Sequence, residues 1–510
     1  MPASHDEPQS IPPTPRGGPQ SGTSRADTGQ TPLKKSVSSN GLPSVVYDPP
    51  ADGLGDFPAA AAIRYFISRH ERLPANKDEV TGLLSSDIAE IDSLLSNQVN
   101  AILHHPRFQT LEATWRGLMH LVIMSEGAEN VQIRALDVAK SELHADLMAA
   151  LEFDQSDLFA KVYEAEYGMA GGTPYGAIIA DYDFSNEPKD IELLTAVSGV
   201  AASAFCPFIA GVSPKMFGID NFDRLPHMHN LEAYFNTPKF LKWRAMRDTE
   251  DARFVGLVVS HILMRLPYTD DTRRNDGFVF SENVAGNSES NYVWGNAAFA
   301  FGGVLLRAFL DHGWFADIRG AHRTGNRGGR VQGLPVQSFN TDSRGVAIKS
   351  SVATSIDERL ERQLSDLGFI PLCDCQDTEY AVFHANQSIQ RAKVYHDDAA
   401  TCNARLSAMI QYIMCSSRFA HYLKVLARDR LGGTTGAAEL ESELHSWVQR
   451  YVSQDPGASQ SVKAKYPLRQ ARITLRDHPA KPGHYFADFL LWPHFQLDEL
   501  TASVKLVSEL

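Results

Sequence analysis

Residues 465–510 read KYPLRQARITLRDHPAKPGHYFADFLLWPHFQLDELTASVKLVSEL. Apolar and polar residues alternate over 471–475, a more apolar run covers 485–491, and alternation returns at Ala502, Val504 and Leu506. A turn-forming stretch rich in Pro and Gly separates the first two runs. Period-two alternation bounded by such breakers is typical of β-strands. The stretch therefore predicts three strands at the C-terminal end of the chain.

The last of these strands raises the question of what covers its edge. An edge strand carries unpaired N–H and C=O groups that can template pairing with another chain. Either the chain's own sheet covers that edge, or a strand from a neighbouring subunit is added to it. Both alternatives stay open at the level of sequence.

Size and composition indicate a large globular protein. The chain has 510 residues, 43% hydrophobic residues and a net charge of −13, which suits two or three domains and disfavours a general nucleic-acid binder. It contains no apolar run of the roughly 20 residues that span a bilayer. The N-terminus lacks the basic and apolar regions of a signal peptide. The five cysteines are an odd count, and reduced thiols in the cytoplasm are the simplest interpretation.

The pattern along the chain divides it into four segments. Residues 1–55 are rich in Pro, Ser, Thr and Gly and are predicted to be a disordered tail. Residues 56–127 form a helical segment, in which Leu111, Trp115 and Leu118 are predicted to face the core. Residues 128–392 alternate strands with helices, which predicts a layered α/β domain. Residues 393–510 combine long helices with the terminal strands.

Candidate catalytic and metal sites are weak. Ser213 follows a glycine as in a nucleophile elbow, but Pro214 follows it and the second glycine is missing. Cys373 and Cys375 are separated by one residue, whereas zinc pairs usually have two to four. The sequence therefore predicts no catalytic residue, no cofactor and no metal, and the protein is interpreted as a non-enzyme.

One basic loop remains a candidate binding site. It carries Arg319, Arg323, Arg327 and Arg330 around Gly325, Gly328 and Gly329, without the Gly-Lys-Ser/Thr ending of a phosphate-binding loop. Clustered guanidinium groups can hold a phosphate or an acidic partner. A solvated loop without a ligand is an equally good interpretation.

Several long stretches resemble one protein family. They are ILHHPRFQTLEATWRGL (102–118), PFIAGVSPKMFG (207–218), YVWGNAA (292–298), LSDLGFIPL (364–372), RFAHYLKV (418–425) and residues 469–510. In this order they resemble the large subunit of the type VI secretion contractile sheath, the TssC/VipB family. The resemblance spans roughly residues 88–510.

The resemblance implies a structural role and a mixed α+β fold: a layered α/β sheath domain followed by a C-terminal domain similar to gpW/gp25. It implies as partners a small sheath subunit (TssB/VipA), further copies of the chain in a helical polymer, an inner tube of Hcp and a baseplate. It also implies contraction that drives the tube into a target cell. Alternatives are the sheath of a phage-tail-like particle, or a hydrolase or phosphate-binding enzyme using Ser213 or the arginine loop.

The resemblance also implies that terminal strands interlace with neighbouring subunits. The candidate intersubunit residues are Arg472, Ile473, Leu475, Phe486, Phe489, Leu491, Val504 and Leu506. Family members usually carry an N-terminal amphipathic helix that the ClpV unfoldase grips. Residues 1–55 show no such helix, and residues 59–69 are the only candidate, so ClpV as a partner is left open.

Overall fold

A computed structural model of the chain describes residues 36–37, 43–44, 66, 69–70, 76–169, 171–270, 277–284, 289–321, 327–340, 346–376, 378–430, 437–455, 457–477, 485–494 and 504–509. Contacts divide the chain into two compact units, Met1–Ile88 and Ala89–Leu510. In the first unit, β1 (Ser36–Val37) pairs antiparallel with β2 (Pro43–Ser44). Apart from this pair, the predicted disordered tail lies outside the described residues and stays a prediction.

Helices account for much of the described chain. In order they are α1 (Lys77–Leu103), α2 (Pro106–Met124), α3 (Lys140–Ala149), α4 (Pro188–Ser203), α5 (Leu231–Phe235), α6 (Leu241–Arg247), α7 (Ala298–His312), α8 (Glu358–Asp366), α9 (Asp398–Ser407), α10 (Ile410–Arg430), α11 (Ala437–Gln449) and α12 (Gln460–Lys465). A π-helical segment, Ala160–Glu164, lies between two single α-turns, Asp157–Phe159 and Ala165–Tyr167.

The remaining strands form several small sheets. They are β3 (Ile178–Phe184), β4 (Phe208–Val212), β5 (Val255–Val259), β6 (His261–Leu263), β7 (Trp294–Asn296), β8 (Arg330–Val331), β9 (Gln337–Asn340), β10 (Val346–Lys349), β11 (Ile370–Pro371), β12 (Cys373–Asp374), β13 (Ala381–Val382), β14 (Leu468–Asp477), β15 (Tyr485–Pro493) and β16 (Val504–Glu509). The pairs β6–β7 and β9–β10 and the sheet β12–β13–β8 are antiparallel.

The centre of the second unit is a parallel sheet in the order β11–β5–β4–β3. Every residue of β4 and β5 is buried, as expected for strands covered on both faces. Phe208 and Ala210 of β4 pack into a cluster that includes α4, while Ile209 between them packs into a second cluster that includes α7. Helices therefore cover both faces, and the predicted mixed α/β fold with a layered domain is confirmed.

The orientation of α2 is the opposite of the predicted one. Its buried residues are Ala113, Gly117 and Leu121, whereas Leu111 and Trp115 are exposed. A Cβ at Gly117 would lie 2.3 Å from the Phe299 ring of α7, so the glycine allows the two helices to approach closely. The small residues face the core because close helix packing needs them, and the predicted core-facing stripe is wrong.

The C-terminal part packs helices against a three-stranded sheet. The long helices predicted for this part include α9 and α10, which follow one another with two residues between them. Trp314 stacks on Phe419 of α10 with ring centroids 4.0 Å apart, and Tyr451 meets both rings edge-on. On the sheet, Ile473, Phe489 and their neighbours complete the same core. The three strands are those that the alternation predicted.

Candidate functional site

The three terminal strands pair with one another inside the chain, in the antiparallel order β14–β15–β16. Phe489 of β15 lies opposite Ile473 on one side and opposite Leu506 on the other. The predicted residues Phe486 and Leu491 occupy the same central strand. Because both edges of β15 are occupied within the chain, this strand is not free to accept a neighbour.

The outer edge of β14 is covered by side chains of α11. The Leu475 N–H donates to Glu441 Oε2 at 2.7 Å, and Gln449 Nε2 donates to the Ala471 carbonyl oxygen at 3.0 Å. Each contact satisfies a backbone group that would otherwise face solvent or another strand. Arg472 and Ile473 therefore lie on a strand whose outer edge is already partly occupied.

The same contacts fix which peptide groups of β16 point outward. In an antiparallel ladder, directly opposed residues alternate between hydrogen-bonded and non-hydrogen-bonded pairs. Leu475 directs its N–H away from β15, so it belongs to a non-bonded pair. Arg472 and Thr474 are therefore among the residues of β14 that bond to β15. Following that alternation through β15, residues 504, 506 and 508 of β16 bond to β15. Residues 505, 507 and 509 thus direct N–H and C=O toward the outer edge of β16. Among the described strands, none pairs with that edge.

A buried histidine anchors α10, and with it the C-terminal sheet, to the α/β domain. His421 Nε2 lies 3.2 Å and 2.9 Å from the carbonyl oxygens of Ala204 and Phe205, just after α4, and Arg418 Nη1 lies 3.2 Å from its Nδ1. Nε2 therefore carries the proton and Nδ1 accepts. Burial, followed by the charge of Arg418, lowers the pKa of His421 well below its ordinary value, so the ring is held neutral.

A cation–aromatic contact reinforces this anchor one turn further along α10. The Lys424 ammonium lies 4.8 Å from the Tyr167 ring centroid and 5.0 Å from that of Tyr163. Burial raises the pKa of the Tyr167 hydroxyl, which donates to the Ala204 carbonyl oxygen at 2.8 Å. The sheet is therefore held on a rigid base, and none of the described strands pairs with the outer edge of β16.

Two arginines of the basic loop make contacts within the fold itself. Arg319 Nε donates to the His384 carbonyl oxygen at 3.0 Å, and the Arg330 guanidinium lies 3.5 Å from the Tyr380 ring centroid. Arg327 is exposed, and Arg323 lies outside the described residues. Two of the four guanidinium groups thus make contacts within the fold, and the predicted acidic-partner loop stays a prediction.

The residues considered for catalysis have structural contacts. Ser213 Oγ caps a short helical turn by accepting from the Lys215 N–H at 3.4 Å. The cysteines form no disulfide, and burial raises the pKa of the Cys206 and Cys415 thiols to about 12, which makes them poor nucleophiles. Over the described ranges, no three His, Cys, Asp or Glu side chains are grouped as metal ligands would be.

No described helix combines the length and apolar character needed to cross a membrane.

Comparison with known proteins places the chain in a family. Residues 85–390 match the VipB family model described as EvpB/VC_A0108, tail sheath N-terminal domain, and residues 399–510 match the VipB_2 model, tail sheath gpW/gp25-like domain. The type VI secretion system sheath protein TssC1 of Pseudomonas aeruginosa is 40% identical over 443 residues, which are 85% of this chain and 88% of TssC1.

Two solved structures are similar to the chain at low identity. The cryo-EM baseplate of the anti-feeding prophage is 11% identical, with a TM-score of 0.31, over 68% of this chain and 74% of that one. The sheath tail protein of Desulfitobacterium hafniense is 10% identical, with a TM-score of 0.29, over 65% and 57%. These scores are too low to support an argument. On the strength of the two family models and the TssC1 identity, the chain belongs to the TssC/VipB family of type VI secretion sheath large subunits and is a structural component of a contractile sheath.

Proposed function

We propose that this chain pairs with a small sheath subunit (TssB/VipA) and polymerises with further copies of itself into a helical sheath around an Hcp tube, built on a baseplate in the cytoplasm. Subunits are linked by a neighbour's strand that adds to the outer edge of β16. The observation that carries this proposal is that none of the described strands pairs with the outer edge of β16, toward which three residues direct their peptide groups.

Of the three predicted strands, β16 is the best candidate for the link between subunits, because the edges of the other two are occupied. β15 is paired on both sides, and the outer edge of β14 is occupied by Glu441 and Gln449 of α11. Of the eight residues predicted from sequence, Val504 and Leu506 therefore lie on the linking strand, although their own N–H groups bond to β15. The peptide groups that receive the neighbour belong to residues 505, 507 and 509, which sequence reasoning missed.

A strand link suits a sheath that changes its packing. Its affinity comes from backbone hydrogen bonds, so it needs no large rigid docking face. Two subunits joined in this way can rotate relative to one another while the link persists, which is what contraction between two packings of the lattice requires. The role is mechanical, and the proposal assigns no catalytic step to the chain.

Co-expression with a small sheath subunit tests the proposal. We expect tubules by negative-stain electron microscopy, and we expect that removal of residues 501–510 abolishes them while the soluble heterodimer persists. Two soluble chains that never form tubules would contradict the sheath assignment, and normal tubules from the truncated chain would contradict the strand link. Ser213→Ala should assemble normally, whereas an enzyme using that serine would lose its function.

A further inference from the structure

Helix α2 presents an exposed apolar seam to solvent. The α2 seam consists of Phe108, Leu111, Trp115, Leu118 and Val122, spaced alternately by three and four residues. Leu118 is partly covered and the other four are exposed, Trp115 to 63%. A tryptophan this exposed at the centre of an apolar row is unusual for a surface without a partner.

The seam is held outward by contacts on the other side of α2. Thr114 Oγ1 donates to Asp181 Oδ2 at 2.5 Å, and Gln109 Nε2 donates to the Ser290 carbonyl oxygen at 2.8 Å. Gly117 lies against the Phe299 ring. Rotating the helix to bury Trp115 would break these contacts, so the exposure of the seam belongs to the folded structure.

The C-terminal half of α1 repeats the pattern. Ile91, Leu95 and Ile102 fall on one narrow stripe with Gln98 between them, and the three apolar residues are exposed. The side chain of Asn100, on a neighbouring face, accepts from the Asn283 N–H at 3.0 Å. We call these three residues the α1 seam. The helix thus docks through a polar residue and leaves its apolar stripe uncovered.

The spacing of the two seams identifies the kind of occupant. An alternating three–four repeat, 3.5 residues on average, is the pattern by which one helix packs knobs into the holes of another. A strand would need a backbone edge, which a helix does not offer. A membrane surface favours a helix rich in Lys and Arg, whereas α1 has one lysine, Lys77, and no arginine.

Charge favours a different chain over a second copy. Besides Lys77 at its first position, the charged residues of α1 are all acidic: Asp78, Glu79, Asp87, Glu90 and Asp92. Pairing α1 with itself in parallel would place Glu90 and Asp92 beside the same carboxylates, which is unfavourable. A helix with Lys or Arg beside its apolar row would instead be attracted to α1.

We propose that the α1 and α2 seams are docking surfaces for amphipathic helices of the small sheath subunit, with apolar residues at three–four spacing and, along α1, basic residues facing Asp92. This inference rests on the proposed function, since it takes its partner from there. Trp115 lies mid-way along the α2 seam and is the expected hot spot, because large aromatic side chains at interface centres carry most of the binding energy.

Photo-crosslinking identifies the occupant. In the test variant, p-benzoylphenylalanine replaces Trp115 in the full chain, which is co-expressed with the small sheath subunit. In the control variant it replaces Leu151, which is 92% exposed and lies outside both seams. We expect a crosslink to the small subunit from position 115 and none from position 151. A crosslink from position 115 only to a second copy, or only to residues 1–75 of the same chain, overturns the inference.

Charged substitutions measure the contribution of the seam. Trp115→Glu should weaken the affinity for the small subunit at least about 30-fold, with an unchanged thermal midpoint because the side chain is exposed. Leu151→Glu is the matched control and should bind like the wild type. If the wild-type chains never associate, the proposed function fails; if they associate and Trp115→Glu binds equally well, only the seam inference fails.

Discussion

Replacing Val507 by proline tests the alternation of peptide directions that defines the outer edge of β16. Residue 507 directs its N–H away from β15, so proline there removes no hydrogen bond of the chain's own sheet. Proline is tolerated on an edge strand when its missing N–H faces outward. We therefore expect the substitution to weaken the proposed link between subunits and to leave the fold of the subunit itself intact.

The expected magnitude follows from the strand geometry. Residues 505, 507 and 509 can form up to about six backbone hydrogen bonds with an added strand, which together contribute about 3–9 kcal/mol. Proline lacks the N–H but keeps the C=O, so it removes one of the two bonds at 507, a loss of about 0.5–1.5 kcal/mol per link, or about 2–13-fold in the link's equilibrium constant. Because every subunit of the lattice carries the same defect, tubules should be lost at concentrations where the wild type assembles.

Three variants are compared by thermal unfolding and by sedimentation of tubules. Val507→Ala keeps the N–H and should assemble. Val507→Pro should unfold within about 2 °C of the wild type, since its own sheet is intact, yet remain unassembled. Leu506→Pro should lose both assembly and stability, because residue 506 bonds to Phe489 within the chain. Tubules formed by Val507→Pro at the wild-type concentration would refute the proposed orientation of β16.

Three further substitutions address the supports of the site. Glu441→Ala leaves the Leu475 N–H without its acceptor, so we expect a loss of about 1–3 kcal/mol in the free energy of unfolding, measured by urea denaturation, with aggregation through the exposed edge. Gly211→Ala places a Cβ 2.4 Å from Asp183 Oδ1. We expect this overpacking to lower the free energy of unfolding by about 1–3 kcal/mol. An unchanged midpoint of urea denaturation would show that the Asp183 carboxylate moves aside freely. The pKa of His421 is depressed in the folded chain, so at low pH the unfolded chain binds a proton that the folded ring excludes. The contribution of His421 to stability is therefore present above about pH 6.5. Below that pH it is lost, at up to about 1.4 kcal/mol per pH unit. His421→Gln should show a shallower loss between pH 6.5 and pH 5 than the wild type, and identical slopes would contradict the anchor.

The sequence predicts local elements well because their signals are local. Alternation of side chains located β14, β15 and β16, since a half-buried strand needs that alternation wherever it lies in the fold. The cover of β14 by Glu441 and Gln449 could not be predicted, because it depends on α11 lying alongside a strand more than twenty residues away. The direction of the peptide groups in β16 follows from that contact, so it could not be predicted from the sequence either.

The stripe on α2 shows a second limit. Periodicity correctly indicates that Leu111, Trp115 and Leu118 share one face, but it cannot tell whether the chain itself or another chain covers that face. The sequence did contain a signal: Ala113, Gly117 and Leu121 form a competing row at intervals of four, with two small residues. Close packing against Phe299 requires a residue without a side chain, so the row with the glycine was the better candidate for the buried face.

The two surfaces argue for a division of mechanical roles. Knobs-into-holes packing fixes the angle and register of two helices, because each side chain fills a specific gap. A small subunit held on the α1 and α2 seams would therefore move with this chain as one rigid body. The proposed strand addition on β16 would fix only a row of backbone hydrogen bonds, which would leave the joined bodies free to rotate. Contraction requires both properties: bodies that keep their shape and links that change angle without parting. The free energy released on contraction should then arise from repacking between these bodies, and a disulfide placed across the seams should leave contraction intact, whereas one that locks the β16 link to the body of the neighbouring subunit should block it.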